Sequence, residues 1–129
     1  MTPNAGLSSI TLFAADMDKT ASFYQALGIN LEKTCEWSGY CHYLACLTGY
    51  GTNQFFEVHP LQPGQMASAQ GLGFKVDNVP EVLHKLLVLG ALVTRKPAFE
   101  RSYQYATHIT AKDPDGRTVR IHQRDEKPA

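Results

Sequence analysis

The feature that most constrains this chain is an internal repeat. A strand-like run, Ser9-Ile10-Thr11-Leu12-Phe13, leads through Asp16-Met17-Asp18 into a helical stretch ending at Leu27-Gly28. A second run, Gly71-Leu72-Gly73-Phe74-Lys75-Val76, leads through Asp77-Asn78-Val79-Pro80 into a helical stretch ending at Leu89-Gly90. Each copy continues in short alternating, β-like segments. Two copies of one unit must solve the same burial problem in the same way, so the repeat decides architecture before any single residue does. It also places a site between the copies, on the face their sheets share.

Local signals fill in each copy. In the first helix Asp16 or Asp18 can cap the free amides, Met17, Ala21, Tyr24 and Leu27 fall on one stripe, and Gly28 suits a left-handed end. Strands are predicted over 31–37, 41–48 and 54–59, separated by Ser38-Gly39 and by Gly49-Tyr50-Gly51-Thr52-Asn53. In the second helix Pro80 sits in the first turn, Val79, Leu83, Leu86 and Leu87 form the predicted buried stripe, and Gly90 closes it. Further strands are predicted over 91–95, 103–112 and 117–123, the last two joined by the turn Asp113-Pro114-Asp115-Gly116. The expected organisation is one domain over 1–129: a module over 7–60, a Pro-, Gly-, Gln- and Ser-rich linker over 61–70, and a module over 71–124. Residues 1–6 are expected to fray, and 124–129 form a charged tail. The fold class is α+β, two βαβββ modules, each with its helix outside and its inner face lining a cleft.

Composition excludes several partners. Lys plus Arg, 12, equals Asp plus Glu, 12, which is a poor footprint for nucleic acid or an anionic membrane. No apolar run has the length of a membrane span, and the first residues lack the basic and apolar segments of a signal peptide, so a cytoplasmic protein is expected. Cys35, Cys41 and Cys46 are odd in number and contain no CxxC pair, so free thiols are expected rather than a zinc site.

Several strings resemble the vicinal oxygen chelate superfamily, to which glyoxalase I, bleomycin-resistance proteins and extradiol dioxygenases belong. They are Leu12-Phe13-Ala14-Ala15-Asp16-Met17-Asp18 with Phe23-Tyr24 and Leu27-Gly28, then Leu44-Ala45-Cys46-Leu47-Thr48-Gly49-Tyr50-Gly51, Phe74-Lys75-Val76-Asp77-Asn78-Val79, and Asp113-Pro114-Asp115-Gly116. The resemblance spans about 9–123 and implies a glyoxalase/bleomycin-resistance-type cleft. It also implies, for the metalloenzymes of that group, one metal ligand from each of four strands. By offset from the matching strings those positions are Ser9, Glu57, Gly71 and Arg120. Only Glu57 keeps a ligating side chain, since glycine offers no donor and the guanidinium keeps its proton. The sequence therefore predicts no metal and no cofactor.

Strand alternation gives the rest of that inner face: Thr11 and Phe13 with Ser9, Phe55 and His59 with Glu57, Gly73 and Lys75 with Gly71, Thr118 and His122 with Arg120. The opposite faces, Ile10-Leu12, Phe56-Val58, Leu72-Phe74-Val76 and Val119-Ile121, are apolar and belong against the helices. Glu57 and Arg120 are expected to pair directly, the guanidinium standing where a cation would bind; the plainer role of such a pair is to neutralise a partly buried site. His59 and His122 are candidate ligand donors or acid–base groups, and equally plain rim residues. A displaced metal site from Glu57, His59 and His122 is chemically possible but has no family spacing behind it. The facing of His42 and His108 is left open. Trp37, Phe99 and Tyr103 flank strand ends and, with Phe13 and Phe55, suit a flat conjugated ligand, although packing alone also uses such residues.

The expected function is metal-independent binding of an aromatic or conjugated small molecule by Phe13, Trp37, Phe55, His59, Lys75, Phe99, Tyr103, Arg120 and His122, in a homodimer as the resemblance implies. The alternative is a glyoxalase-like lyase or isomerase in which Glu57 abstracts a proton and Arg120 or Lys75 holds the developing oxyanion.

Overall fold

The computed structural model describes residues 6–49 and 52–124, so Tyr50-Gly51, residues 1–5 of the segment 1–6 expected to fray and residues 125–129 of the expected tail over 124–129 lie outside it. The elements are β1 (Ser9–Ala14), α1 (Met17–Ala26), β2 (Glu32–Cys35), β3 (Cys41–Gly49), β4 (Thr52–Pro60), β5 (Leu72–Val76), α2 (Val79–Val88), β6 (Leu92–Arg95), a 3-10 helix (Glu100–Tyr105), β7 (His108–Lys112) and β8 (Thr118–Gln123). They form two sheets of identical plan, β1-β4-β3-β2 and β5-β8-β7-β6. In each, the first strand runs parallel to the last, and the other pairs are antiparallel. A parallel pair needs a crossover, and the helix that follows the first strand supplies it.

Each helix begins and ends on side chains chosen for the task. The Asp16 carboxylate accepts from Lys19 N at 3.1 Å, and Asn78 Oδ1 accepts from Glu81 N at 3.0 Å. Gly28 and Gly90 follow the helices at φ 98° and 76°, a conformation that costs a Cβ-bearing residue dearly. Of the two capping candidates, Asp16 is the cap. Asp18 instead accepts from the Tyr43 hydroxyl at 2.7 Å and pairs with Lys33 at 3.3 Å, tying α1 to β3 and β2.

The apolar faces read from alternation are the ones that meet the helices: Leu12, Phe56, Val58, Val76, Val119 and Ile121 are buried. The α2 stripe differs by one residue. Val82 is buried, whereas Leu87 is 37% exposed, because it lies about 100° beyond Leu86 around the helix and faces outward. The expected strand over 103–112 begins only at His108. The residues before it wind into the 3-10 helix, which packs beside α2, with Tyr103 against the core.

Among the described residues, two of the contacts that join the modules are built from named side chains. The Tyr24 ring contacts Phe56 at 5.0 Å and Phe74 at 5.8 Å, an aromatic cluster drawn from both sheets. The Asp113-Pro114-Asp115-Gly116 turn then does more than reverse the chain. Asp113 accepts from the Tyr24 hydroxyl at 2.7 Å and from Arg117 Nη1 at 3.0 Å, and Arg117 Nη2 donates to the Phe13 carbonyl at 2.7 Å. Arg117 is fully buried. Burial, and then the Asp113 charge, push the Tyr24 phenol far above its ordinary range.

The cysteine expectation is corrected. Cys35 and Cys41 form a disulfide, leaving Cys46 as the free thiol among the described cysteines. They are direct register partners at the turn end of the β2–β3 hairpin, with Cα atoms 4.0 Å apart. Counting thiols in sequence misses such pairing because the hairpin register creates it.

Candidate functional site on the inner face of the first module

The site is built by register. The parallel pairing of β1 with β4 sets Thr11 beside Glu57 and Phe13 beside His59 on the face turned away from α1. On the other side of β4, Tyr43 pairs with Val58 and Leu44 with Glu57. Continuing that antiparallel register brings His42 against His59, and their rings stack at 4.4 Å and 11°. The Phe13 ring lies 5.7 Å from His59 on its other flank.

Glu57 is the centre of this group. Its Oε2 accepts from Thr11 Oγ1 at 3.4 Å, and its Oε1 lies 3.3 Å from His59 Nε2 and 3.8 Å from His42 Nε2. His59 Nδ1 lies 2.7 Å from the Tyr40 hydroxyl. These contacts are mutually consistent in one tautomer: Nε2–H donates to the carboxylate while Tyr40 donates to Nδ1. The side chains of His42, Glu57 and His59 are 16%, 26% and 18% exposed, so all three are largely desolvated. His42 is the odd member. Its Nδ1 is buried without a partner, and its Nε2 is too far from Glu57 for a hydrogen bond. A buried polar group left unpaired costs about 1–3 kcal/mol.

Other expected residues distribute differently. Phe55 and Lys75 share a concavity of about 550 Å³ at the module junction with Cys46, Gly73 and Arg124. Phe55 is 43% exposed. Arg120, His122 and Lys75 lie on the open face of the second sheet, where Lys75 is the register partner of His122. Trp37, at 108% exposure, stands at the tip of the β2–β3 turn, and Phe99 is 64% exposed just before the 3-10 helix. Tyr103 is placed with the core on the helix side, under Lys96. A second groove, of about 940 Å³, runs between α1 and the turns after α2 and β7 and holds none of the expected ligand residues.

The expected Glu57–Arg120 pair is not formed: the ion-pair partners of Glu57 are His42 and His59. Two strands of one sheet satisfy the carboxylate before any group of the other sheet reaches it. The four-strand metal set implied by the resemblance does not fit these residues. Ser9 is exposed, and a Cβ at Gly71 would meet only the Thr118 carbonyl at 3.8 Å, so there is space at Gly71 but no donor. Arg120 brings a cation to the remaining position.

His42 is the residue that the sequence did not place. Its face depends on the pairing register of β3 with β4, and a one-residue slip would turn it to the helix side. The local signal was the small apolar Ala45: buried beside its register partner Phe56, it puts residues of the other parity, His42 included, on the inner face.

No protein-family model matches the chain, and no curated protein matches it. Solved structures do. The chain superposes on the fosfomycin resistance protein FosX from Listeria monocytogenes with a TM-score of 0.63 at 20% identity, covering 94% of both chains. It superposes on lactoylglutathione lyase from Agrobacterium tumefaciens with a TM-score of 0.55 at 20% identity, covering 95% of this chain and 96% of that one. TnmS3, an antibiotic-binding protein from a Streptomyces species, matches with a TM-score of 0.58 at 17% identity, covering 97% and 100%. These neighbours are vicinal oxygen chelate proteins, and the paired βαβββ architecture of this chain is the fold of the vicinal oxygen chelate superfamily.

Proposed function

We propose that this protein binds an aromatic or conjugated small molecule on its inner sheet faces, in the manner of the bleomycin-resistance kind, without the four-strand metal. One observation carries the reading. The inner face of the first module presents Phe13, His59 and Tyr40 around a carboxylate, and Phe55 stands half-exposed in the concavity at the module junction, while three of the four positions that would hold a metal offer no ligand. Half-exposed rings on a sheet face give stacking area, and Glu57 and Tyr40 give a few fixed polar contacts for orientation. Lys75, Arg120 and His122 add donors from the second sheet, and Trp37 and Phe99 are exposed aromatic edges available to a ligand or a second subunit. A homodimer, in which a second copy covers the inner face, completes this reading. The antibiotic-binding neighbour TnmS3 is of the same fold and supports it by analogy alone.

Trp37 is the sole tryptophan, so ligand binding is measurable by its fluorescence alongside equilibrium dialysis against a panel of flat conjugated compounds, in the presence of a chelator. Micromolar binding that Phe55→Ala weakens supports the reading. Absence of any binding tighter than millimolar refutes it. Light scattering of the same sample tests the dimer.

The hydrogen-bonded series Tyr40–His59–Glu57 favours a second reading, a lyase or isomerase in which Glu57 takes a proton from substrate. A desolvated carboxylate oriented by an imidazole suits a general base. Turnover of a hemithioacetal that Glu57→Gln abolishes would put this reading first. No helix among the described residues is long and apolar enough to cross a membrane. The Cys35–Cys41 disulfide bears against the cytoplasmic location expected from the sequence, since such bonds persist in oxidising compartments.

A further inference from the structure

We propose that the first module carries a transition-metal site of its own, made by His42 from β3 and by Glu57 and His59 from β4. The three donor atoms lie within 4.8 Å of one another, and their side chains are 16–26% exposed. Two imidazoles and one carboxylate are a zinc-type donor set that leaves positions open for water or substrate. At a tetrahedral ion, bonds of about 2.0–2.2 Å set such donors roughly 3.3–3.6 Å from one another. The His59–Glu57 separation, 3.3 Å, already meets this, and His42 must swing in from 3.8 Å.

His42 gives the second, independent observation. Neither ring nitrogen has a hydrogen bond among the described residues, although Nδ1 is buried. A largely desolvated imidazole stacked on another imidazole with its Nε2 turned toward a carboxylate is accounted for by a cation between them. The surroundings are also those of a metal site. Ligating histidines and carboxylates are held by outer partners, and here Tyr40 meets His59 Nδ1 at 2.7 Å while Thr11 donates to the far oxygen of Glu57. On coordination, the His59 proton sits on Nδ1 and is donated to the Tyr40 oxygen, so the ring changes tautomer without a net change in protons. Nitrogen-rich donors select zinc, cobalt, nickel or copper over magnesium and calcium.

The site lies within one module and on two adjacent strands. It uses none of Ser9, Gly71 and Arg120, so it is displaced from the four-strand position and needs neither the second module nor a second subunit. It goes beyond the ligand-binding reading and stands or falls separately from it, because the probe is the metal alone.

The experiment is titration of metal-stripped, full-length protein with Co(II), followed by visible absorption and then displacement with Zn(II). The expected result is one equivalent bound per chain with the intense d–d bands of a low-coordinate site. His42→Gln and His59→Gln should each abolish stoichiometric binding, Tyr40→Phe should weaken it about tenfold, and Ser9→Ala should leave it unchanged. The wild-type Co(II) form should also show two exchangeable, hyperfine-shifted imidazole N–H protons, a readout that requires no variant to fold. Failure to bind one equivalent overturns the proposal. So does undiminished binding by folded His42→Gln, or loss of binding in His108→Gln, which would move the metal to the exposed His108–His122 pair of the second sheet.

Discussion

Arg117→Met tests whether the modules are held together by a buried polar staple. The wild-type guanidinium bonds Asp113 at 3.0 Å, approaches Asp115 at 3.4 Å and donates to the Phe13 carbonyl at 2.7 Å, with the Arg117 side chain at 0% exposure. Methionine keeps much of the stem volume but removes the charge. It leaves two carboxylates buried at 0% and 7% side-chain exposure without their cation. Removing one partner of a buried pair costs about 3–5 kcal/mol, a large share of the about 5–15 kcal/mol that holds a domain folded. At about 4 °C per kcal/mol for a chain of this size, the melting temperature should fall by about 12–20 °C. Tyr24→Phe is the internal comparison. It removes one hydrogen bond to Asp113, yet Asp113 keeps Arg117 and the backbone amides of Asp115 and Arg117, so the loss should be about 1.5–3 kcal/mol. Urea and thermal unfolding followed by far-UV circular dichroism measure both. If Arg117→Met melts within about 4 °C of wild type, or Tyr24→Phe proves the more damaging change, the staple is not what joins the modules.

Three further outcomes follow from particular contacts. Alkylation of the unreduced protein should label Cys46 alone, and reduction of the Cys35–Cys41 bridge should destabilise by about 2 kcal/mol through a six-residue separation, loosening the hairpin that carries Tyr40 and His42; three labelled cysteines before reduction would refute the bridge. Tyr43 should titrate late, its phenol pushed up from 10.0 to about 12 chiefly by its hydrogen bond to Asp18, and Asp18→Asn should bring it back, as read by phenolate absorbance. The signs are opposite for the two partners: the Tyr43 contribution is complete below pH 10.0 and lost between there and about 12, whereas Asp18, its pKa lowered from 3.8 chiefly by the Tyr43 bond, contributes above that value and loses its contribution below it. Asn78→Ala should cost about 1 kcal/mol through the lost cap on α2, and an unchanged denaturation midpoint would assign the helix start to packing alone.

Disagreements between sequence and structure are confined to features that depend on distance along the chain or on handed detail. Leu87 was one position off a stripe because a ten-residue helix leaves the edges of its apolar arc undefined by spacing alone. The segment before β7 alternates like a strand but winds into a 3-10 helix because Tyr103 finds core beside α2. Free thiols became a disulfide because Cys35 and Cys41 are hairpin neighbours. Glu57 was legible as an inner-face carboxylate, and its partners were not.

What the sequence determined by itself is the part written in local, periodic chemistry. Two copies of one strand–helix pattern set two βαβββ units. Asp16, Asn78, Gly28 and Gly90 bounded the helices, and period-two alternation separated Leu12, Phe56, Val58, Val119 and Ile121 from Thr11, Glu57, His59, Arg120 and His122. Only the tertiary structure decided that Glu57 turns to His59 and His42 instead of Arg120, and that Arg117 reaches across to Phe13. The reason is physical. Alternation specifies which face a side chain occupies, but strand register and the docking of the two sheets specify which neighbour it meets, and neither is encoded in any short run of residues.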